Sequence, residues 1–326
     1  MSAPLDPLID VHAHFVTDGY IAAARDAGHE HPDGMPGWPD WSPESHLALM
    51  DSAGIATSML SVSSPGVHFG DDGAARELAR EVNEFAARVV GDHPGRFGHL
   101  ASLPLPDIDG SLTETAYALD VLGSAGVAVE TNAHGIYLGD PRFFPIWAEL
   151  DRRAAVVFVH PTSPPHAETT ALGRPRPMLE FLFDSARAVT DLLYAGVFER
   201  YPGIRWIITH GGGMLPLLAD RIQLFRTAFA GDRRHPPVAE QLRELWFDMA
   251  GTPFPQQIPA LEGAFGLERL LYGSDYCWTP PAAVTAQIEA IDAADRPGEP
   301  TWRRVTTDHA GHLFSGWNNL RRTVIT

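Results

Sequence analysis

The stretch Leu8-Ile9-Asp10-Val11-His12-Ala13-His14-Phe15, near the start of the chain, decides the fold. Successive side chains of a β-strand point to opposite faces, so the stretch predicts a strand with one apolar face and one face that presents His12 and His14. Imidazole is the commonest side-chain ligand of zinc, and two imidazoles make half of a four-ligand site. The alternative is that the two histidines stand two residues apart by chance, because the chain has 15 histidines among 326 residues. The rest of the chain must supply the other ligands.

Composition limits the classes of function. With 44% hydrophobic residues the chain can bury a large core, and α/β barrels of this length form one domain, here residues 1–326. The formal charge of -17 argues against a nucleic-acid or anionic-membrane partner. Residues 1–6 lack the features of a signal peptide and no apolar stretch is long enough to span a membrane, which predicts a cytoplasmic protein. The single cysteine, Cys277, cannot form an internal disulfide.

The chain contains no lysine, since every basic residue is arginine. Schiff-base chemistry, a pyridoxal phosphate anchor and a Walker lysine are therefore excluded. A carbamylated lysine that bridges two metal ions is excluded as well. A metal site in this chain is expected to hold one ion.

Strand and helix patterns alternate along the whole chain. Short apolar runs predict eight strands, at 8–15, 56–62, 97–105, 126–131, 155–160, 204–210, 245–250 and 269–275. Amphipathic or capped segments predict helices at 43–53, 71–90, 109–123, 141–153, 177–200, 214–229, 236–243, 255–265, 281–293 and 309–322, and residues 28–43 read as a long loop. Eight strand-helix units predict a single (β/α)8 TIM barrel with terminal helices.

Polar residues stand at the carboxyl ends of the predicted strands, where a barrel of this kind builds its site. His12 and His14 end the first strand, His160 the fifth, His210 the sixth and Asp275 the eighth. Each alone has a structural explanation, such as a turn histidine or a helix N-cap. Their coincidence at strand ends predicts one axial site.

Several motifs resemble those of a known family. The set His12-x-His14, His160-Pro161, His210-Gly211-Gly212-Gly213 and Gly273-Ser274-Asp275-Tyr276 is similar to the amidohydrolase superfamily, in its aminocarboxymuconate semialdehyde decarboxylase-like branch. Residues 61–70 and 247–255 look like the subgroup that contains 6-methylsalicylate decarboxylases. The resemblance covers essentially the whole chain and implies the same barrel.

The resemblance also implies roles for these residues. His12, His14, His160 and Asp275 would bind one divalent metal, zinc in most members and manganese in some, without an organic cofactor. His210 would stand beside the metal as an acid/base or water-orienting group. Glu130 on the fourth strand would lie behind the ligands.

The implied reaction is the loss of CO2 from an ortho-hydroxybenzoate, with the carboxylate and phenol oxygens on the metal. Either Asp275 or His210 would handle the proton that replaces the carboxylate. In the muconate branch a metal-bound water, assisted by the histidine equivalent to His210, begins the reaction instead. Both schemes stay open at this point.

Two departures from the family bear on the substrate. Residues 31–38, shortly before Trp41-Ser42-Pro43, contain no arginine, whereas the muconate enzyme has a substrate-binding arginine in this segment, and Gly213 replaces a glutamate found in resorcylate-type members. A smaller, more apolar aromatic acid is the expected substrate. Loop residues at the strand ends that could enclose its ring are Phe15, Trp38, Trp41, His68, Phe69 and Trp278.

The leading hypothesis is thus a metal-dependent decarboxylase of a salicylate-like acid such as 6-methylsalicylate. A hydrolase that uses a metal-activated water on a lactone, ester or amide is the second. A barrel that uses the site for structure or binding alone is the third. By analogy with relatives the chain is expected to form a homodimer.

Overall fold

The fold is a closed barrel, seen in a computed structural model that describes residues 6–229, 235–296 and 300–315. Its eight parallel strands lie side by side in chain order. They are β1 (Leu8–His14), β2 (Ile55–Ser61), β3 (Phe97–Ser102), β4 (Gly126–Glu130), β5 (Val156–His160), β6 (Arg205–Ile208), β7 (Trp246–Asp248) and β8 (Leu270–Leu271). The predicted (β/α)8 barrel is confirmed.

The barrel closes where β1 meets the residues that follow β8. The Val11 amide donates a hydrogen bond of 2.9 Å to the Tyr272 carbonyl, and the Asp275 amide donates one of 2.8 Å to the His12 carbonyl. Asp10 reinforces this closure, because its carboxylate accepts from the amide and the hydroxyl of Ser274 at 3.0 and 2.6 Å. These hydrogen bonds hold the first and last strand-helix units together next to His12.

Helices surround the sheet. They are α1 (Asp18–Asp26), α2 (Pro43–Ala53), α3 (Asp72–Asp92), α4 (Ile108–Asp120), α5 (Phe144–Arg152), α6 (Ala167–Thr170), α7 (Glu180–Tyr194), α8 (Val197–Arg200), α9 (Leu215–Ala228), α10 (Val238–Arg243), α11 (Ile258–Phe265), α12 (Pro281–Ala293) and α13 (Trp302–Leu313). None of the described helices combines the length and the apolar character that crossing a lipid bilayer requires.

Several boundaries differ from the sequence prediction. The predicted helix 177–200 is divided, because Gly196 adopts a left-handed conformation (φ +70°) between α7 and α8. The last helix begins at Trp302 rather than residue 309, where the Thr301 side chain caps it; residues 316–322 of that prediction lie outside the described residues. Helix α1 and a hairpin of Asn132–Ala133 with Ile136–Tyr137 are absent from the prediction.

The alternation predicted for β1 is interrupted. The pairing register with β2 shifts between Asp10 and Ala13, as in a β-bulge. Leu8 packs in the outer core between sheet and helices, whereas Val11 packs in the inner core with Phe158. The prediction that Leu8 shares a face with the two histidines is therefore wrong, because the irregularity between Asp10 and Ala13 interrupts the alternation.

Candidate metal centre and active site

Four of the predicted site residues meet at the carboxyl ends of the strands. His12 and His14 come from β1, His160 ends β5, and Asp275 lies four residues after β8. One ligand atom from each of the four lies within 4.8 Å of those from the other three. Within the described residues no second group of three or more such side chains comes together in this way.

Hydrogen bonds fix the orientation of the two β1 imidazoles. The Nδ1 atom of His12 lies 2.8 Å from the Asp248 carboxylate, and the Nδ1 atom of His14 lies 3.3 Å from the Ser61 carbonyl. Both acceptors require a proton on Nδ1, which leaves Nε2 of each imidazole as the nitrogen that can bind a metal ion or a further proton. The two Nε2 atoms face each other at 2.9 Å, a distance at which one proton is shared between them. Together with His160 and Asp275 they form a donor set that suits one divalent ion.

The pKa shifts of the histidines agree with a positive charge among the four side chains of the cluster. Burial disfavours the charged form of His12, yet the Asp248 carboxylate, followed by that of Asp275, raises its pKa to about 10. Burial lowers the pKa of His14, and it holds the pKa of His160 well below its ordinary value with help from the neighbouring imidazoles. The cluster thus favours one positive charge, carried by a proton in the absence of metal.

The two oxygens of Asp275 have different neighbours. Oδ1 lies 3.2 Å from Nε2 of His14 and 3.5 Å from Nε2 of His12. Oδ2 lies 3.5 Å from Nε2 of His210. Although burial favours the neutral acid, hydrogen bonds with the three histidines hold the pKa of Asp275 well below its usual range. Asp275 is therefore ionised, with one oxygen toward the ligand cluster and the other toward His210.

Asp248 connects the ligand cluster to His210. Besides binding His12 through Oδ2, it accepts through Oδ1 from the His210 amide at 2.9 Å and from the Ala250 amide at 3.0 Å. Burial tends to raise the pKa of Asp248, but the His12 charge lowers it overall. Asp248 is not among the site residues predicted from the sequence, although it is a charged residue in the otherwise apolar strand predicted at 245–250 and it ends β7.

A cavity of about 750 Å³ has Glu130, a neighbour of His160, in its wall, but none of the four cluster residues lines it. It is lined by the ends of β3 and β4 and by loop residues that include His29, Asp33, His68, His134 and Arg176. Glu130, in the cavity wall, places Oε2 3.5 Å from Nδ1 of His160, and neither atom has a hydrogen-bond partner. Burial, with a contribution from Asp33, raises the pKa of Glu130 well above its ordinary value.

The six aromatic or histidine residues predicted around the substrate do not enclose one cavity. His68 lines the cavity beside Glu130. Trp38, Trp41 and Trp278 line a second, more open cavity of about 790 Å³. Phe15 and Phe69 line neither of these two cavities; Phe15 stacks on Phe85 and Phe69 packs against Tyr20 and His29.

Comparisons with known proteins agree with the barrel and the cluster. A family model described as Amidohydrolase matches residues 9–307. The chain is 35% identical to the decarboxylase yanB of Aspergillus niger, over 94% of this chain and 87% of that protein. It is 34% identical to the 6-methylsalicylic acid decarboxylase of Penicillium expansum, over 94% and 95%. A crystal structure described as amidohydrolase II is 32% identical and superimposes with a TM-score of 0.89, over 94% of this chain and 99% of that one.

The family match spans all but the ends of the chain, and both curated relatives cover nearly all of it. The chain belongs to the amidohydrolase family, on the branch that contains these decarboxylases.

Proposed function

We propose that this protein is a metal-dependent decarboxylase of small aromatic carboxylic acids, with 6-methylsalicylate as a substrate. The observation that carries the proposal is the histidine-carboxylate cluster in which Asp275 faces the ligands with one oxygen and His210 with the other. Similarity to decarboxylases over almost the full chain supports the same reaction. We propose His12, His14, His160 and Asp275 as the ligands and zinc as the ion.

A divalent ion held there provides positive charge that attracts an acid and withdraws electrons from its ring. The substrate reaches the cluster from the side of Asp275 and His210, whose side chains are 20% and 12% exposed, whereas those of His12 and His14 are fully buried. The acid/base residues therefore face the arriving ring.

Asp275 Oδ2 then transfers a proton to the ring carbon that bears the carboxylate. A C–H bond forms at that carbon, its bond to the carboxylate breaks, the electron pair returns to the ring, and CO2 leaves. Because Asp275 is ionised at rest, its proton must be delivered before each turnover. His210 Nε2, 3.5 Å from Oδ2, is the group placed to deliver it.

The test is turnover of 6-methylsalicylate by protein loaded with zinc or with manganese. We expect equal amounts of CO2 and 3-methylphenol, and loss of both products after chelation, because the attracting charge is then gone. Adding the metal back should restore activity. Undiminished CO2 release by protein shown by elemental analysis to be metal-free would contradict the proposal, and turnover of lactones without CO2 would favour a hydrolase.

We further propose that the chain forms a homodimer through helices α7 and α9. All large hydrophobic residues that the described part of the chain leaves exposed, except Val121, lie between residues 172 and 229. They are Leu172, Met178, Leu179, Phe183, Tyr194, Leu217, Leu224, Phe225 and Phe229. Exposed apolar side chains on the neighbouring helices α7 and α9 are typical of an interface, and a two-fold axis lets this surface cover its copy.

Replacing both Leu217 and Leu224 by glutamate is expected to convert the dimer to monomers, because their side chains are 69% and 52% exposed and a charge there opposes burial. Sedimentation velocity measures the change. The exposed Val121, mutated to glutamate, is the matched control and should leave the dimer intact. A monomeric wild-type protein would contradict this proposal.

A further inference from the structure

His210 has a backbone conformation that few residues with a side chain adopt. It begins the short turn His210–Gly212 after β6, and its φ of +53° lies in the left-handed region. A side chain makes this region unfavourable, so a residue other than glycine stays there only where its surroundings hold it. The conformation of the proposed acid/base residue therefore depends on the neighbours that bind its backbone.

Side chains from two later parts of the chain bind the peptide groups on either side of the His210 α-carbon. Asp248, at the end of β7, accepts from the His210 amide at 2.9 Å. Gln257 ends the helical turn Pro253–Gln257 that leads into α11, and its Nε2 donates to the His210 carbonyl at 2.5 Å. The backbone at residue 210 is therefore held from both ends.

The His210 ring, unlike the rings of the two β1 histidines, has no hydrogen bond behind it. Nδ1 of His12 binds the Asp248 carboxylate, and Nδ1 of His14 lies beside a backbone carbonyl. Nδ1 of His210 is buried with no hydrogen-bond partner among the described residues. The direction of the ring, and with it the 3.5 Å between its Nε2 and Oδ2 of Asp275, therefore depends on the backbone of His210.

The glycine that follows His210 leaves the space that the Gln257 side chain fills. A β-carbon on Gly211 would stand 2.8 Å from Cγ of Gln257, closer than packed atoms approach, and the φ of Gly211 is +58°. A residue with a side chain at this position would therefore displace the glutamine and be strained as well. The contact with Gln257 explains why the residue after His210 is a glycine.

A role for Gln257 in stability alone finds little support in its contacts. Its Oε1 is buried with no hydrogen-bond partner in the described part of the chain. The His210 carbonyl is satisfied without the glutamine, because the Gly213 amide also donates to it at 2.9 Å. Since an unpaired buried polar atom costs free energy, an apolar side chain of the same shape should leave the fold about as stable.

We propose that Gln257 is a positioning residue that holds the left-handed backbone of His210 and thereby directs Nε2 of its ring toward Asp275. Without the amide, His210 can relax toward a less strained φ, which turns its ring away from Oδ2. The inference rests on the proposed function for the role of His210 in proton delivery, and it adds a residue from outside the ligand cluster.

The kinetic test replaces the amide of Gln257 by an apolar group of similar shape. Gln257→Met should lower kcat for the proposed decarboxylation by about ten- to hundredfold, since a misplacement of about 1 Å can cost about 10²-fold. KM and the metal Kd should stay as in the wild type, because the ligand cluster keeps its own hydrogen bonds. Gln256→Met is the matched control: Gln256 is the exposed neighbour in the same turn, and its replacement should leave kcat unchanged.

Thermal unfolding and a second variant separate positioning from folding. Gln257→Met should unfold at nearly the same temperature as the wild type. Gln257→Glu keeps the length of the side chain, but its ionised carboxylate offers the His210 carbonyl no donor, so it should lower kcat as well. If Gln257→Met does not fold, the comparison is made with Gln257→Glu. Equal losses of kcat from the changes at 256 and 257, or a loss of activity that follows a loss of bound metal, would overturn the proposal.

A spectroscopic measurement distinguishes this inference from the decarboxylation itself. In zinc-loaded protein labelled with ¹³C at histidine Cε1, the NMR signal of His210 is identified by its absence from His210→Asn. Gln257→Met should shift or broaden this signal and leave unchanged that of His309, which lies on α13 beside the Leu270 carbonyl. That result would support the positioning role even if the wild type turns over no aromatic acid, in which case the proposed reaction alone would fail. A His210 signal that is identical in the two proteins would overturn the role of Gln257, whatever the effect on kcat.

Discussion

Replacement of Asp275 by asparagine is expected to lower kcat/KM for decarboxylation by about 10²–10⁴-fold, the range for loss of general acid catalysis. Asparagine keeps an oxygen that can face His12 and His14, but its amide cannot carry the proton that Oδ2 would give to the ring. The effect should fall on kcat, because the substrate's contacts with the cavity wall stay in place.

The measurement must separate proton transfer from loss of metal. Activity is therefore normalised to bound metal, determined by elemental analysis of each preparation. His210→Asn is the companion variant: it leaves the ligand set intact, removes the group 3.5 Å from Oδ2 and should lower kcat. An Asp275→Asn protein that holds metal and keeps most of its activity would exclude Asp275 as the acid and leave His210 as the candidate.

Much of the fold could be predicted because local pattern and global topology agree. Strands such as β5, Val156–His160, are continuous apolar runs that end in one polar residue, as parallel barrel strands do. The bulge in β1 could not be predicted, since it arises from register with β2 and from closure against the residues after β8. The last helix was predicted to begin at residue 309 because the Thr301 cap, which precedes Trp302, was not recognised in the sequence.

The meeting of His12, His14, His160 and Asp275 could be predicted for the same reason, because each stands at or soon after the carboxyl end of a barrel strand. The hydrogen bonds that orient these histidines could not be predicted. Whether Ser61 would bind His14 depends on side-chain directions that strand pairing fixes in three dimensions. The cavity beside Glu130 was harder to predict, since loops of different units form its wall and no periodic pattern marks a residue such as Arg176.

Changing Asp248 to asparagine should weaken metal binding by about 10–100-fold, the usual effect of removing a carboxylate that binds the other ring nitrogen of a histidine ligand. The carboxylate holds His12 in the tautomer that presents the Nε2 lone pair and makes that nitrogen more basic. An amide can present its nitrogen to Nδ1 instead, which favours the wrong tautomer.

Asp191→Asn is the matched control, because Asp191 is a half-buried carboxylate of α7 that binds the Gly139 amide, away from the cluster. Competition with a chelator gives the metal Kd of each protein, and thermal unfolding shows whether each variant is folded. If Asp248→Asn binds metal as tightly as the wild type, Asp248 does not orient His12. If metal affinity falls and kcat at saturating metal falls too, the second loss reports on His210, whose amide binds the same carboxylate. One buried side chain would then control both the ligand and the acid/base residue of the site.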